Sequence, residues 1–124
     1  MATKTIHVGI MSQDEYRKRT IAIAKGAYTP KANEPKIWFE SLQSMAQVLS
    51  NENQELLKII LERKPESLKE LEALTGRKSS NLSRTLKMME RYGIVSLSRD
   101  HKKVRPVVKA TDFKVEFGLK QAFC

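Results

Sequence analysis

Between Ser79 and Tyr92 a serine and three bases recur at helical spacing: Ser80, Arg84, Lys87 and Arg91. At about 100° per residue they share one face of a helix, with Leu82, Leu86 and Met89 opposite and Asn81 and Met88 on a flank. The outward face carries no acid. A helix of this kind fits the major groove of DNA with its N-terminal residues at the base edges. Arginine can bond bidentately to guanine O6 and N7, and asparagine to adenine N6 and N7. Asn81 and Arg84 are therefore the candidate base readers, Ser79, Ser80 and Lys87 mixed contacts, and Arg91 a phosphate contact near the helix end. Singly, each is also compatible with an ordinary solvated side chain; the set is what points to nucleic acid.

The flanks carry the same charge. Arg77 and Lys78 precede the helix, next to its positive N-terminus, where phosphate is favoured by charge and by free amides. Arg99, Lys102, Lys103 and Arg105 surround a second turn further on, suited to the phosphate backbone or the minor groove. His101 at that turn reads as a surface histidine. Residues 77–109 hold ten bases and two acids, a net of +8, while the whole 124-residue chain carries +9. Surplus charge confined to one stretch is the footprint of a surface facing phosphates; a basic face kept for solubility is the bland alternative.

The elements that would position these residues follow from local pattern. Ser67-Leu-Lys-Glu70 is a capping box opening a short helix with Leu68, Leu71 and Leu74 inward. Gly76 ends it, and Ser79 or Ser80 caps the next helix, which runs to about Tyr92 before Gly93. A short helix, a tight turn and a longer helix make a helix-turn-helix. Residues 94–110 then alternate, turn at Asp100-His-Lys-Lys103 and return, which predicts a two-stranded wing. Upstream, Ser50 or Asn51 caps a helix with Leu56, Leu57, Ile60 and Leu61 on one stripe, ended by Pro65. Before it lie a strand over 4–11, a helix over 13–25 opened by the Ser12–Glu15 capping box, and a connector with two prolines. Lys36–Phe39 is a brief aromatic segment, strand-like or the entry to a helix, and Ser41 begins another helical pattern. Asp112–Phe117 reads as one more strand.

Other chemistries find little support. There is one cysteine, Cys124, and two widely separated histidines, which excludes an internal disulfide and a Cys/His metal cluster. No apolar run approaches the roughly 20 residues of a membrane span, and the first residues do not read as a signal peptide, so a cytoplasmic location is expected. The carboxylate pairs Glu70/Glu72 and Glu52/Glu55 have no His or Cys beside them, and the five glycines form no phosphate loop. No constellation for catalysis emerges and no cofactor is implied. Arg17-Lys18-Arg19 reads as a solvated helix face, or else a second phosphate contact. Trp38 and Phe39 read as covering the core, or as a partner contact. His7 reads as incidental.

The stretch ERKPESLKELEALTGRKSSNLSRTLKMMERYGIV resembles the helix-turn-helix of MarR-like winged-helix regulators, with SSNLSR (Ser79–Arg84) similar to a common recognition-helix opening there. The upstream RTIAIAKGAYTPKANEPKIWFESLQSMAQVLS resembles a narrower family of small winged-helix regulators often encoded beside a toxin, as TumA-type antitoxins. The likeness spans roughly residues 16–118, and it implies a DNA-binding regulator, with neutralisation of a small toxin protein as an alternative task.

The sequence thus predicts an α+β chain: a winged helix-turn-helix with an N-terminal strand-helix extension and a C-terminal strand. Residues 1–49 form the extension, 50–110 the DNA-binding domain and 111–124 the last strand and tail. The expected activity is sequence-specific binding of double-stranded DNA by a repressor, not an enzyme. Ile6, Val8 and Ile10, and Phe113, Val115 and Phe117, have no evident place in the winged-helix core. Strands left so exposed pair with another chain, so they predict a homodimer or a docked toxin.

Overall fold

The computed structural model describes residues 4–119; the ends of the expected N-terminal extension and C-terminal tail lie outside the described residues. The elements run β1 (Thr5–Ile10), α1 (Gln13–Ala24), β2 (Ile37–Phe39), α2 (Leu42–Val48), α3 (Asn51–Arg63), α4 (Leu68–Thr75), α5 (Ser79–Arg91), β3 (Val95–Asp100), β4 (Lys103–Val108) and β5 (Asp112–Glu116). The fold is α+β, with a winged helix-turn-helix at its centre: α3, α4 and α5 followed by the antiparallel β3–β4 hairpin.

Serines start four of the five helices. Ser12, Ser41, Ser50 and Ser67 each accept a hydrogen bond from the amide three residues on, satisfying one of the free N–H groups at a helix start. At the Ser67 box the return half is shifted: Glu70 accepts from the amide of Glu66 instead of that of Ser67. α3 stops at Lys64, whose left-handed backbone (φ 47°) precedes the buried Pro65.

The strands outside the winged helix pair with each other. β1 is the middle strand of a parallel sheet in the order β2-β1-β5, with Val8 opposite Ile37 and Val115, and Ile6 opposite Phe113. Matched positions in a parallel sheet share a face, so Ile6, Val8, Ile10, Ile37, Phe39, Phe113 and Val115 lie on one side. That side meets the helices. Val8 and Phe39 are fully buried in one core with Leu56, Leu57, Ile60, Leu71, Leu82, Leu86, Met89, Ile94 and Val95. The expectation that β1 and β5 lack partners is corrected here, because each covers an edge of the other. Among the described residues the outer edges of β2 and β5 stay unpaired, and Val115 in β5 and Phe117 just after it are 43% and 53% exposed. Leu74, read as inward, is also substantially exposed, as is Leu42.

The opposite face of the sheet is polar and aromatic. Arg19, read from sequence as solvated, is only 9% exposed. Its guanidinium lies over the rings of Trp38 (5.3 Å) and Tyr28 (5.9 Å) and pairs with Glu34 at 3.4 Å. Glu34 also accepts from the Tyr28 hydroxyl and, at 2.8 Å, from the Lys31 amide. Burial raises the Glu34 pKa, but the bonds from Tyr28, Lys31 and Arg19 outweigh it and hold the carboxyl below its ordinary value. Trp38 therefore covers Arg19 on the far face of the sheet, while Phe39 enters the core and stacks on Tyr92 at 4.4 Å. His7, read as incidental, donates to Glu116 at 3.2 Å and joins β1 to β5.

Gly9 makes this layer possible. A Cβ there would sit 2.5 Å from a Trp38 ring carbon and 2.8 Å from Pro35 Cγ. Gly9→Ala should therefore destabilise the fold by about 1–3 kcal/mol, the usual cost of overpacking. Urea denaturation should show a lower midpoint with unchanged slope, accompanied by a shift in Trp38 emission. An unchanged midpoint would mean that the indole is not held in place.

Candidate nucleic-acid interface

The orientation of α5 is set by its apolar stripe. Leu82, Leu86 and Met89 are each 0% exposed, and Met88 packs partly against the same core. Ser80, Asn81, Arg84, Lys87 and Arg91 are all exposed, so the helix presents the face that its periodicity predicts.

The entry to α5 differs from the expected cap. The cap residue is Lys78, and it makes no side-chain cap bond; Ser79 is the first helical residue. The acceptor is Glu72, one turn before the end of α4. Its carboxylate takes the Ser79 amide at 2.6 Å and the Ser79 hydroxyl at 2.8 Å. A full negative charge at a helix N-terminus is a stronger acceptor than a serine hydroxyl. The three-residue turn through Gly76, at φ 77°, brings the carboxylate within reach. These two Ser79 bonds lower the Glu72 pKa, with Lys69 adding to them against a smaller opposing effect of burial. The Ser79 hydroxyl is thus already engaged inside the protein.

Arg77 is half-buried and anchored. It donates through Nη1 to Asn53 Oδ1 at 3.3 Å, and the buried Asn53 amide donates in turn to the carbonyls of Val48 (3.0 Å) and Gln47 (3.3 Å). The turn before α5 is thereby tied to the junction of α2 and α3. Arg77, Lys78, Ser80, Asn81 and Arg84 line one groove with the first residues of α3. Five of the expected contact residues thus meet in one place.

The hairpin is locked to α5 by backbone. Gly93, at φ 77°, closes the helix, with the Ile94 amide bonded to the Met89 carbonyl at 3.0 Å. The Glu90 carboxylate accepts from the Leu97 amide at 3.2 Å, and the Lys109 amide reaches the Ile94 carbonyl at 2.8 Å. The two tip residues, His101 and Lys102, both take positive φ (47° and 71°), the primed hairpin geometry that matches strand twist. Arg99, Lys102, Lys103 and Arg105 are all exposed, but the strand register divides them. Arg99 is opposite Val104, on the face of Val95 and Leu97, whereas Lys103 and Arg105 pair with Asp100 and Ser98 on the other face. The two-residue alternation of the strands already contained this split.

Arg91 stands apart from the N-terminal groove. About 16 Å of helix separates Ser80 from Arg91 at 1.5 Å per residue, and Arg91 lines a different cavity with residues of α1 and β2. Among the described residues no group of three or more His, Cys, Asp or Glu is placed to hold a metal ion, and no helix is long and apolar enough to cross a membrane.

The Glu72 bridge generates a prediction. Its folded-state pKa lies below the unfolded value, so its contribution to stability is complete above the ordinary glutamate range and is lost as pH falls through the folded value. Glu72→Gln should melt below the parent protein near pH 7. The gap should narrow below about pH 4.3 and close at lower pH. Thermal melts across that range check it; a gap independent of pH would show that the carboxylate charge is not what holds Ser79.

No curated protein matches the chain. A solved chain described as the predicted DNA-binding transcriptional regulator from E. coli is 22% identical, covering 74% of this chain and 82% of that one, with a TM-score of 0.43. The model of the HVO_A0114 family matches residues 48–115, from the end of α2 through β5. That match spans more than half of the chain and includes the whole winged helix-turn-helix: the chain belongs to the HVO_A0114 family.

Proposed function

We propose that this chain is a sequence-specific regulator of transcription, a repressor that binds double-stranded DNA in the cytoplasm. One observation carries the reading: α5 exposes Ser80, Asn81, Arg84, Lys87 and Arg91 against a fully buried Leu82/Leu86/Met89 stripe, inside the segment that holds +8 of the net +9 charge. In this reading α5 enters the major groove. Asn81 and Arg84 read bases, and Ser80 and Lys87 make mixed contacts. Arg77 and Lys78 hold phosphate where α5 begins, Ser79 contributes beside them while tied to Glu72, and Arg91 meets phosphate near the helix end. Arg99, Lys102, Lys103 and Arg105 follow the backbone or the minor groove from the wing. RNA is the poorer fit, because the major groove of an A-form duplex is too deep and narrow for side chains to read.

Arg84→Ala should relax base preference at one operator position and cost about 1–3 kcal/mol there. Lys102→Ala combined with Lys103→Ala should weaken all duplexes alike and flatten the dependence of log K on log[salt] by about two phosphates' worth per protomer. Binding titrations on a randomised duplex pool and at several salt concentrations read both effects. If Arg84→Ala weakened every sequence equally, Arg84 would be a phosphate contact.

A single recognition helix covers too few base pairs to stand out in a genome, so the reading requires two copies with recognition helices about 34 Å apart on a pseudo-palindrome. We assign residues 1–49 and 111–124 to the contact and 50–110 to DNA. β1 is enclosed by its neighbours; among the described residues the surfaces left include α1, with exposed Ile21, and the outer edges of β2 and β5. The open edge of β5 also favours a second reading, in which it docks a small toxin protein and DNA binding serves autoregulation, as the resemblance to TumA-type antitoxins implies. Mass measurement of the isolated protein at micromolar concentration should find a dimer. A stable monomer would transfer these surfaces to the second reading.

A further inference from the structure

A cavity of about 680 Å³ lies between α1, β2 and the C-terminal end of α5. Its lining includes three aromatic side chains, Tyr16, Trp38 and Tyr92, and three bases, Arg17, Lys36 and Arg91. None of these bases forms an ion pair among the described residues. Glu40 is the one acid in the lining, which leaves a net charge of +2.

Two of the aromatic walls are held in advance. Tyr92 is fixed by its stack on the buried Phe39, and Trp38 by the Arg19 guanidinium and by close packing over Gly9. Walls already ordered cost little entropy when a ligand arrives. The volume falls within the range of small-molecule sites, roughly 300–1,000 Å³. Aromatic walls suit a planar ring, and arginines with no ion pair among the described residues suit phosphate or carboxylate oxygens.

We propose that this cavity is a binding site for a small anion bearing a planar ring, of the nucleoside monophosphate class. The phosphate is taken by Arg17, Lys36 and Arg91, and the ring by Tyr16, Trp38 and Tyr92. A duplex is the weaker match: its phosphates would use the arginines but leave three aromatic walls without a role, because paired bases stay stacked inside the helix. Occupancy joins α1 to the last turn of α5, the helix that carries the outward bases.

Trp38 is the only tryptophan in the chain, so its emission reports on this cavity directly. The full chain is titrated, without DNA, with AMP, GMP, CMP and UMP. Adenosine and ribose 5-phosphate serve as the two halves of the first probe. At least one monophosphate should quench Trp38 saturably. For AMP, each half should bind at least about tenfold more weakly than the whole. Arg17→Ala and Arg91→Ala, both at exposed positions, should each weaken the monophosphate about tenfold or more, the worth of one charged hydrogen bond. Failure of all four to saturate below about 10 mM overturns the site. So does equal binding of ribose 5-phosphate and AMP, indifference to both arginine substitutions, or quenching by a short duplex alone, which would assign the cavity to the nucleic-acid surface. Because no readout involves an operator, failure here leaves the reading of the N-terminal groove of α5 untouched, while success moves Arg91 from duplex phosphate to this ligand.

Discussion

Burial of Leu82, Leu86 and Met89 is the constraint from which the arrangement follows. Each fully buried side chain of this size contributes about 1.5–3 kcal/mol, whereas an exposed charge pair contributes about 0–1. The apolar stripe therefore decides how α5 is rotated, and the outward bases take the positions left to them. The buried cluster that holds the stripe also takes in Leu56 and Ile60 of α3, Leu71 of α4, Val95 of β3, and Val8 and Phe39 of the parallel sheet. One core thus serves both the winged helix and the strands outside it.

Where apolar packing is indifferent to detail, three polar side chains settle it. Glu72 receives the start of α5, Asn53 connects the turn before it to the end of α2, and Glu90 receives the start of the wing. In each case a side chain on one element bonds a group on the next, or bridges two. Each bond fixes an angle that side-chain packing alone would leave loose. The bases at the mouth of the N-terminal groove inherit their placement from these bridges.

The central helices and the wing were legible because their determinants are local. Ser41, Ser50 and Ser67 cap within three residues of themselves, and the 3.6-residue stripe of α5 is contained in thirteen residues. Three features were not legible, for one shared reason: their partners lie far along the chain or in an irregular segment. Glu72 caps a helix seven residues away, across a turn. Arg19 sits in a basic triplet and reads as solvated, because its burial is created by Tyr28 and Glu34 in the connector and by Trp38 beyond it. The alternation of β1 and β5 announces strands but cannot name their partner. Among the candidate contacts, the exposure of the α5 bases was fully readable, while the anchoring of Arg77 through Asn53 and the engagement of Ser79 needed the fold.

The pairing of Thr5 with Asp112 and of Gly9 with Glu116 also dictates an order of assembly during synthesis. α3, α4, α5 and the hairpin close short loops and can form as they leave the ribosome, since nearby segments meet quickly. β1 emerges before all of them, yet one of its edges stays bare until residue 116 is made. Its hydrogen-bonding groups and the apolar row Ile6, Val8 and Ile10 are then presented to solvent and to neighbouring nascent chains. Gly9 and the polar Thr5 and His7 occupy the opposite face, so the strand is apolar on one side only, which lowers its tendency to aggregate while it waits.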